Sequence, residues 1–144
     1  MSKLITKNDL KAIFDEILPM DIGSVYRNTE NITISTAGID ATPTVGASVT
    51  LPKDHVYLIV GQWTFNTGSA ANTARNNQVV IKDIDAGVTK AVQRVYYYNN
   101  GFGVLQVVYI TDKLTADTQF AVCASSSMTY TTASRTDITA ISIC

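Results

Sequence analysis

The sequence predicts an all-β protein, an antiparallel jelly-roll sandwich preceded by a short N-terminal helix. Three observations predict it. From residue 56 onward the chain is a succession of β-branched and aromatic runs bounded by Gly, Asn, Asp and Thr clusters, the pattern of strands and their turns. No proline occurs after Pro52, so none of these runs is barred from the middle of a sheet. A helical apolar period occurs only within the first twenty residues, which leaves the rest to strands. Runs of this length and spacing make a two-sheet architecture of about eight to ten strands.

Residues 1–20 read as a helical leader. Thr6 and Asp9 are spaced as a capping box, with the hydroxyl and the carboxylate each serving an orphan N–H of the first turn. Leu10, Ile13, Phe14, Ile17 and Leu18 then recur on one helical face. Pro19 ends the run, because the residue before proline is pushed out of the helical region. A helix of about twelve residues is marginal in water. Its apolar face is therefore expected to dock on its own domain, on sister copies or on another protein. Lys3, Lys7, Asp9, Lys11, Asp15 and Glu16 interrupt any secretory apolar core, so cytoplasmic synthesis is expected. No stretch approaches the roughly 18 apolar residues that cross a bilayer, so no membrane insertion is expected.

Residues 21–51 read as a linker with the first strands. Asn31-Ile-Thr-Ile-Ser35 alternates and reads as a strand, 36–45 as a loop, and 47–51 as a second short strand. Residues 52–144 form the body. The run 56–65 is a long strand, 66–75 a polar loop and 78–84 a strand. Asp85-Ala86-Gly87 is turn chemistry, and 88–98 is the next strand. Asn99-Asn100-Gly101 is a tight-turn signal that predicts a hairpin to the strand 102–111. Residues 112–117 read as a loop, and 120–130 and 138–143 as the last strands.

Two of these strands are apolar on both alternation faces. In 102–110 one face carries Phe102, Val104, Val108 and Ile110, and the other Leu105, Val107 and Tyr109. In 138–143 one face carries Ile138 and Ala140, and the other Ile141 and Ile143. A sandwich strand with one face in water alternates, so a doubly apolar strand needs a second buried environment, which a subunit interface supplies. Leu105, Val107, Tyr109, Ile138, Ile141 and Ile143 are the expected interface residues. Composition points the same way. Charged residues are 16% of the chain, against about 25% in an average soluble protein, and Ser and Thr together make up about a fifth. So little charge protects a monomer poorly against self-association. The net charge of -1 lacks the basic excess of a nucleic-acid binder, so no nucleic acid is expected as a partner.

Catalytic chemistry has few carriers. His55 is the sole histidine, so no histidine pair is available within a chain. Neither a G-x-S-x-G nor an H-E-x-x-H motif occurs. Gly101-Phe-Gly103 lacks the third glycine and the following helix of a dinucleotide fingerprint. Asp83 and Asp85 share a strand face, but two carboxylates fall short of the six to eight oxygens calcium takes. Cys123 and Cys144 stand apart and read as unpaired thiols, with a bridge between them left only for oxidising conditions. No catalytic residue, metal or cofactor is expected. The most suggestive cluster is Tyr96-Tyr97-Tyr98 before Asn99-Asn100-Gly101. Aromatic rings beside adaptable amides suit a sugar or protein ligand. Tyr96, Tyr98, Arg75, Asn76 and Asn100 are the candidate ligand surface, against the plainer reading that these rings pack in the core and cover a hairpin.

The run Leu51-Pro-Lys-Asp-His-Val-Tyr-Leu-Ile-Val-Gly-Gln-Trp-Thr-Phe65 resembles the early strand of the complement and tumour-necrosis-factor-like jelly roll. Leu114-Thr-Ala-Asp-Thr-Gln-Phe-Ala-Val122 resembles a later segment of that family, with Ala116 where the family carries glycine. Thr136-Asp-Ile-Thr-Ala-Ile-Ser-Ile143 resembles its closing strand. The likeness extends from Pro52 to the C-terminus. It implies a compact homotrimer whose inner sheet, last strand included, faces the threefold axis. The leader, residues 1–18, resembles the start of tailed-bacteriophage virion proteins, in which a short N-terminal helix anchors a fibre or decoration protein to the particle. Together the two imply a non-enzymatic virion structural protein: a trimeric phage fibre, head-fibre or capsid decoration protein. It would be made in the host cytoplasm and held to capsid or tail proteins by its leader. A second reading keeps the fold and makes the chain a receptor- or carbohydrate-binding head, with a host surface glycan as partner.

Overall fold

The computed structural model describes residues 23–39, 42–66, 75–97, 101–130 and 133–144. Within them the chain runs as eight strands: β1 (Val25–Ile32), β2 (Thr44–Leu51), β3 (Tyr57–Asn66), β4 (Arg75–Asp83), β5 (Val88–Tyr97), β6 (Phe102–Ile110), β7 (Thr118–Ser126) and β8 (Ser134–Ser142). They form two four-stranded sheets of order β1-β8-β3-β6 and β2-β7-β4-β5. Every paired neighbour is antiparallel. The chain is therefore an all-β sandwich. No α-helix occurs among the described residues. The expected leader helix, with Leu10, Ile13, Phe14, Ile17 and Leu18, lies outside them.

β3 shows why the sheets face each other. Its ten residues alternate without a break between buried and half-buried positions, the period of a strand with one face on the core. Tyr57, Ile59, Trp63 and Phe65 point inward, and the opposite sheet answers with Val79, Ile81, Phe120, Val122 and Ala124. Trp63 lies 4.5 Å from Phe65 and meets Tyr130 edge-on at 5.7 Å, offset geometries that aromatic quadrupoles favour. The indole N–H of Trp63 donates to Ser134 Oγ (2.8 Å), and that hydroxyl donates to the carbonyl of Ile32 (3.2 Å). One polar chain thus satisfies the buried indole and ties β3 to β8 and β1.

A second fastening joins the sheets. The β2–β7 register shifts between Val45 and Ser48, and the bulge frees the N–H of Ala47 from its own ladder. That N–H donates across the sandwich to Thr136 Oγ1 (2.8 Å), whose hydroxyl donates to the carbonyl of Glu30 (3.1 Å). Gly46 sits where any Cβ would collide with the Thr136 side chain, so glycine is what allows the approach.

Three expectations change. The first strand is Val25–Ile32, not 31–35. Within 21–51, expected as a linker with the first strands, β1 and β2 are edge strands of the two sheets and so belong to the sandwich itself. The Asn99–Gly101 signal does not close a hairpin. β5 pairs with β4 and β6 pairs with β3, so the chain crosses there from one sheet to the other. The true hairpin is β4–β5. At its turn Gly87 adopts φ +70°, and Asp83 Oδ1 accepts from the N–H of Ala86 (3.0 Å).

Candidate interaction surface

The outer face of the β1-β8-β3-β6 sheet is read row by row from its register. The first row is Val25, Ile141, Leu58 and Ile110, apolar on all four strands. The second is Arg27, Thr139, Val60 and Val108. The third is polar throughout: Thr29, Asp137, Gln62 and Gln106. The fourth is Asn31, Arg135, Thr64 and Val104, and Phe102 follows opposite Asn66. The apolar field thus fills the first row, keeps only Val60 and Val108 in the second, and continues down the edge strand β6 on either side of Gln106.

Among the described residues nothing covers the β6 side of this field. Phe102 is 75% exposed, Val104 57%, Val108 56% and Ile110 57%. Ile143 and Val25 extend it. β6 also bears no charge and no proline, the usual guards of a sheet edge.

Hydrogen bonds organise the polar row. Gln106 Nε2 donates to Gln62 Oε1 (2.9 Å), and Gln62 Nε2 donates to Thr64 Oγ1 (3.2 Å). Asp137 Oδ1 accepts from Thr29 Oγ1 (2.6 Å) and from Arg135 Nε and Nη2 (2.9 and 2.7 Å). Partial burial pushes the Asp137 carboxyl up. The hydrogen bonds from Arg135 and Thr29, with the Arg135 charge, outweigh it and hold the group below its ordinary value.

Several expected interface residues lie elsewhere. Leu105, Val107 and Ile138 are buried in this chain's own core. Tyr109 is half-buried on the same inner face, 6.3 Å from the Phe120 ring. The reason is register: Leu105 pairs with Trp63 and Val107 with Gly61, both inward positions of β3. A Cβ at position 61 would come within 2.7 Å of Val122 and 3.1 Å of Val107, so the glycine makes room for β6 to pack inward. Ile141 and Ile143 do lie on the outer face. Phe102, Val104, Val108 and Ile110 are the residues that the expectation left out. The sequence carried their signal only as a second apolar alternation, with nothing to say which one faced water.

The candidate ligand surface is divided. Arg75 is 4% exposed, and its guanidinium lies 5.6 Å over the Tyr130 ring inside the sandwich. Asn76 and Tyr96 pair in register on the outer face of the other sheet, where Tyr96 is well exposed. Tyr98 and Asn100 lie outside the described residues. The two turn carboxylates have structural partners: Asp83 reaches Lys90 at 3.7 Å, and Asp85 Oδ2 accepts from the N–H of Gln119 (2.7 Å). His55 stacks edge-on near Tyr57 at 6.1 Å. Among the described residues no group of three His, Cys, Asp or Glu side chains is placed to hold a metal.

No protein-family model matches the chain, and no curated protein matches it. Solved structures do. A chain in the structure of infectious bursal disease virus, Gx strain, matches with a TM-score of 0.51 at 14% identity over 85% of this chain. The VP2 subviral particle of infectious bursal disease virus matches with a TM-score of 0.50 at 16% identity over 83%. This chain spans about a third of the length of each, 32% in both cases. At such identities the likeness is one of fold: this sandwich is built like a domain found in virus particles.

Proposed function

We propose that the chain is a non-enzymatic virion structural protein that assembles as a homotrimer. In this reading the sandwich is a jelly roll. The facing orders β1-β8-β3-β6 and β2-β7-β4-β5 support it, since an eight-stranded double sheet of two Greek keys is that architecture. The part it plays is that of a phage fibre, head-fibre or capsid decoration protein, held to the particle by its leader. A sandwich fold alone assigns no function. The observation that carries the reading is the apolar outer face of the β1-β8-β3-β6 sheet, exposed among the described residues, with its edge β6 free of charge and proline. A surface of that kind on a charge-poor chain marks a contact between proteins, and a second and third copy of the same chain cover it most simply.

The test is mass. Sedimentation equilibrium and native mass spectrometry across the micromolar range are expected to give three chains per particle. A monomer throughout that range overturns the reading.

A further inference from the structure

We propose that the leader packs on its own sandwich, its apolar stripe lying across the strands at one end of the outer face of the β1-β8-β3-β6 sheet. There it covers Ile143, Val25, Ile141, Leu58 and Ile110. The inference goes beyond the assembly proposed above and does not rest on it. It concerns the end of the face where the chain enters β1, and it leaves Phe102, Val104 and Val108 to a neighbour.

The first observation behind it is the shape of the apolar field. Ile143, whose N–H donates to the carbonyl of Val56 (2.9 Å), stands just beyond the row Val25, Ile141, Leu58 and Ile110. On the other side of that row only Val60 and Val108 are apolar, and the next row is polar on all four strands. The field is therefore about 14 Å wide across the strands but only one full row deep along them, with rows about 7 Å apart. A helix, about 10 Å across, would run its stripe onto Asp137, Gln62 and Gln106 if it lay along the strands. Laid across them, it stays on the apolar rows.

Length and entry point agree with this placement. Leu10 and Leu18 end the stripe eight residues apart, about 12 Å in a helix, which nearly matches the distance from β1 to β6. Leu18 then rests by Val25, and Leu10 by Ile110. The N–H groups of Gly23 and Ser24 donate to the carbonyl (2.8 Å) and the hydroxyl (3.1 Å) of Ser142, which pins the start of the described chain beside that row. Gly23 adopts φ +87°, a left-handed conformation that turns the chain out of the line of β1. Residues 19–22 span up to about 13 Å, enough to bring Leu18 back over the face. So short a tether gives the leader an effective concentration of about millimolar at its own sheet, which the leader of a second copy matches only in concentrated solution. Docking also supports a helix that is marginal alone, and Lys11, Asp15 and Glu16 on its far side face outward.

The test uses the full chain with Cys144→Ser, in which the remaining cysteine, Cys123, is buried. Leu10→Cys is paired with Ile110→Cys in one variant, and in another with Tyr96→Cys, at an exposed position of the opposite sheet. Chains at nanomolar concentration are treated with a short bis-maleimide, and bridges are read by mass. The first pair is expected to cross-link within one chain at least tenfold faster than the second. Adding Phe14→Asp, which puts a charge in the middle of the stripe and leaves the tether as it was, is expected to slow the first pair at least tenfold. Emission from Trp63, the sole tryptophan and fully buried, is expected to stay that of the parent in every variant, since all the substitutions are exposed on the sandwich or precede it. No bridge, equal rates for the two pairs, or a rate that Phe14→Asp leaves unchanged overturns the proposal. So does a bridge found only between chains, which assigns the face to the leader of a second copy. The readout is the same whether or not copies associate, so its failure is distinct from a failure of the homotrimer.

Discussion

At the scale of single residues, the two cysteines show how burial decides chemistry. Cys144 is exposed and Cys123 is buried beside Val80 and Ala121. Burial pushes the Cys123 thiol up to about 11, with the Lys82 charge and a backbone hydrogen bond from Gly46 pulling back part of the way. The thiolate is the reactive form, so Cys123 is inert in the folded chain on both counts. A maleimide at neutral pH is expected to label one thiol per native chain, at Cys144, and two after unfolding in guanidinium. The same shift has a sign in stability. The folded state holds the Cys123 proton more tightly than the unfolded state, whose thiol ionises near 9. The contribution is therefore whole below pH 9 and is lost as pH rises towards 11. None of this was legible from two isolated cysteines beyond their being unpaired. The same holds for Arg75, a surface residue by composition that the inward phase of β4 places over Tyr130.

Elements were legible in proportion to the contrast between their faces. β3 could be read because Tyr57, Ile59, Trp63 and Phe65 alternate with residues that tolerate partial exposure. β1 could not, because Val-Tyr-Arg-Asn-Thr-Glu-Asn-Ile is an edge strand exposed along most of its length, and a polar edge has no apolar period to detect. β6 failed in the opposite way: both of its faces are apolar, so the period was plain and its phase was not. The junction of β2 with β8 was invisible for another reason, since it depends on a hydrogen bond between residues 89 positions apart. Thr136→Val tests that junction. The substitution keeps the shape and removes the acceptor for Ala47 and the donor to Glu30. It leaves a buried N–H unpaired, which costs about 1–3 kcal/mol. Urea unfolding is expected to show a loss of that size, whereas the same change at the half-exposed Thr139 is expected to stay within about 0.5 kcal/mol.

For the whole molecule, the proposed function assigns folding and assembly to opposite faces of one sheet, and in that reading β6 serves both. Leu105 and Val107 close the core, while Val104 and Val108 face out. This separation makes the two processes experimentally distinct. Leu105→Ala removes a packed side chain and leaves a cavity, which costs about 2–5 kcal/mol. It is expected to lower the denaturation midpoint of dilute, dissociated chains without changing the stoichiometry of folded ones. Val108→Asp does the reverse. The position is exposed in the single chain, so the dissociated variant is expected to unfold within about 0.5 kcal/mol of the parent. In the assembled protein the substitution places one carboxylate per copy in an apolar seam. Withdrawn from water there, the charge carries a penalty of several kcal/mol. The variant is therefore expected to sediment as a monomer at concentrations where the parent associates. A Val108→Asp chain that still assembled would remove the outer face from the contact and leave its apolar field unexplained. A Leu105→Ala chain that came apart while staying folded would move the contact to the inner face, where the register with Trp63 leaves no room for one.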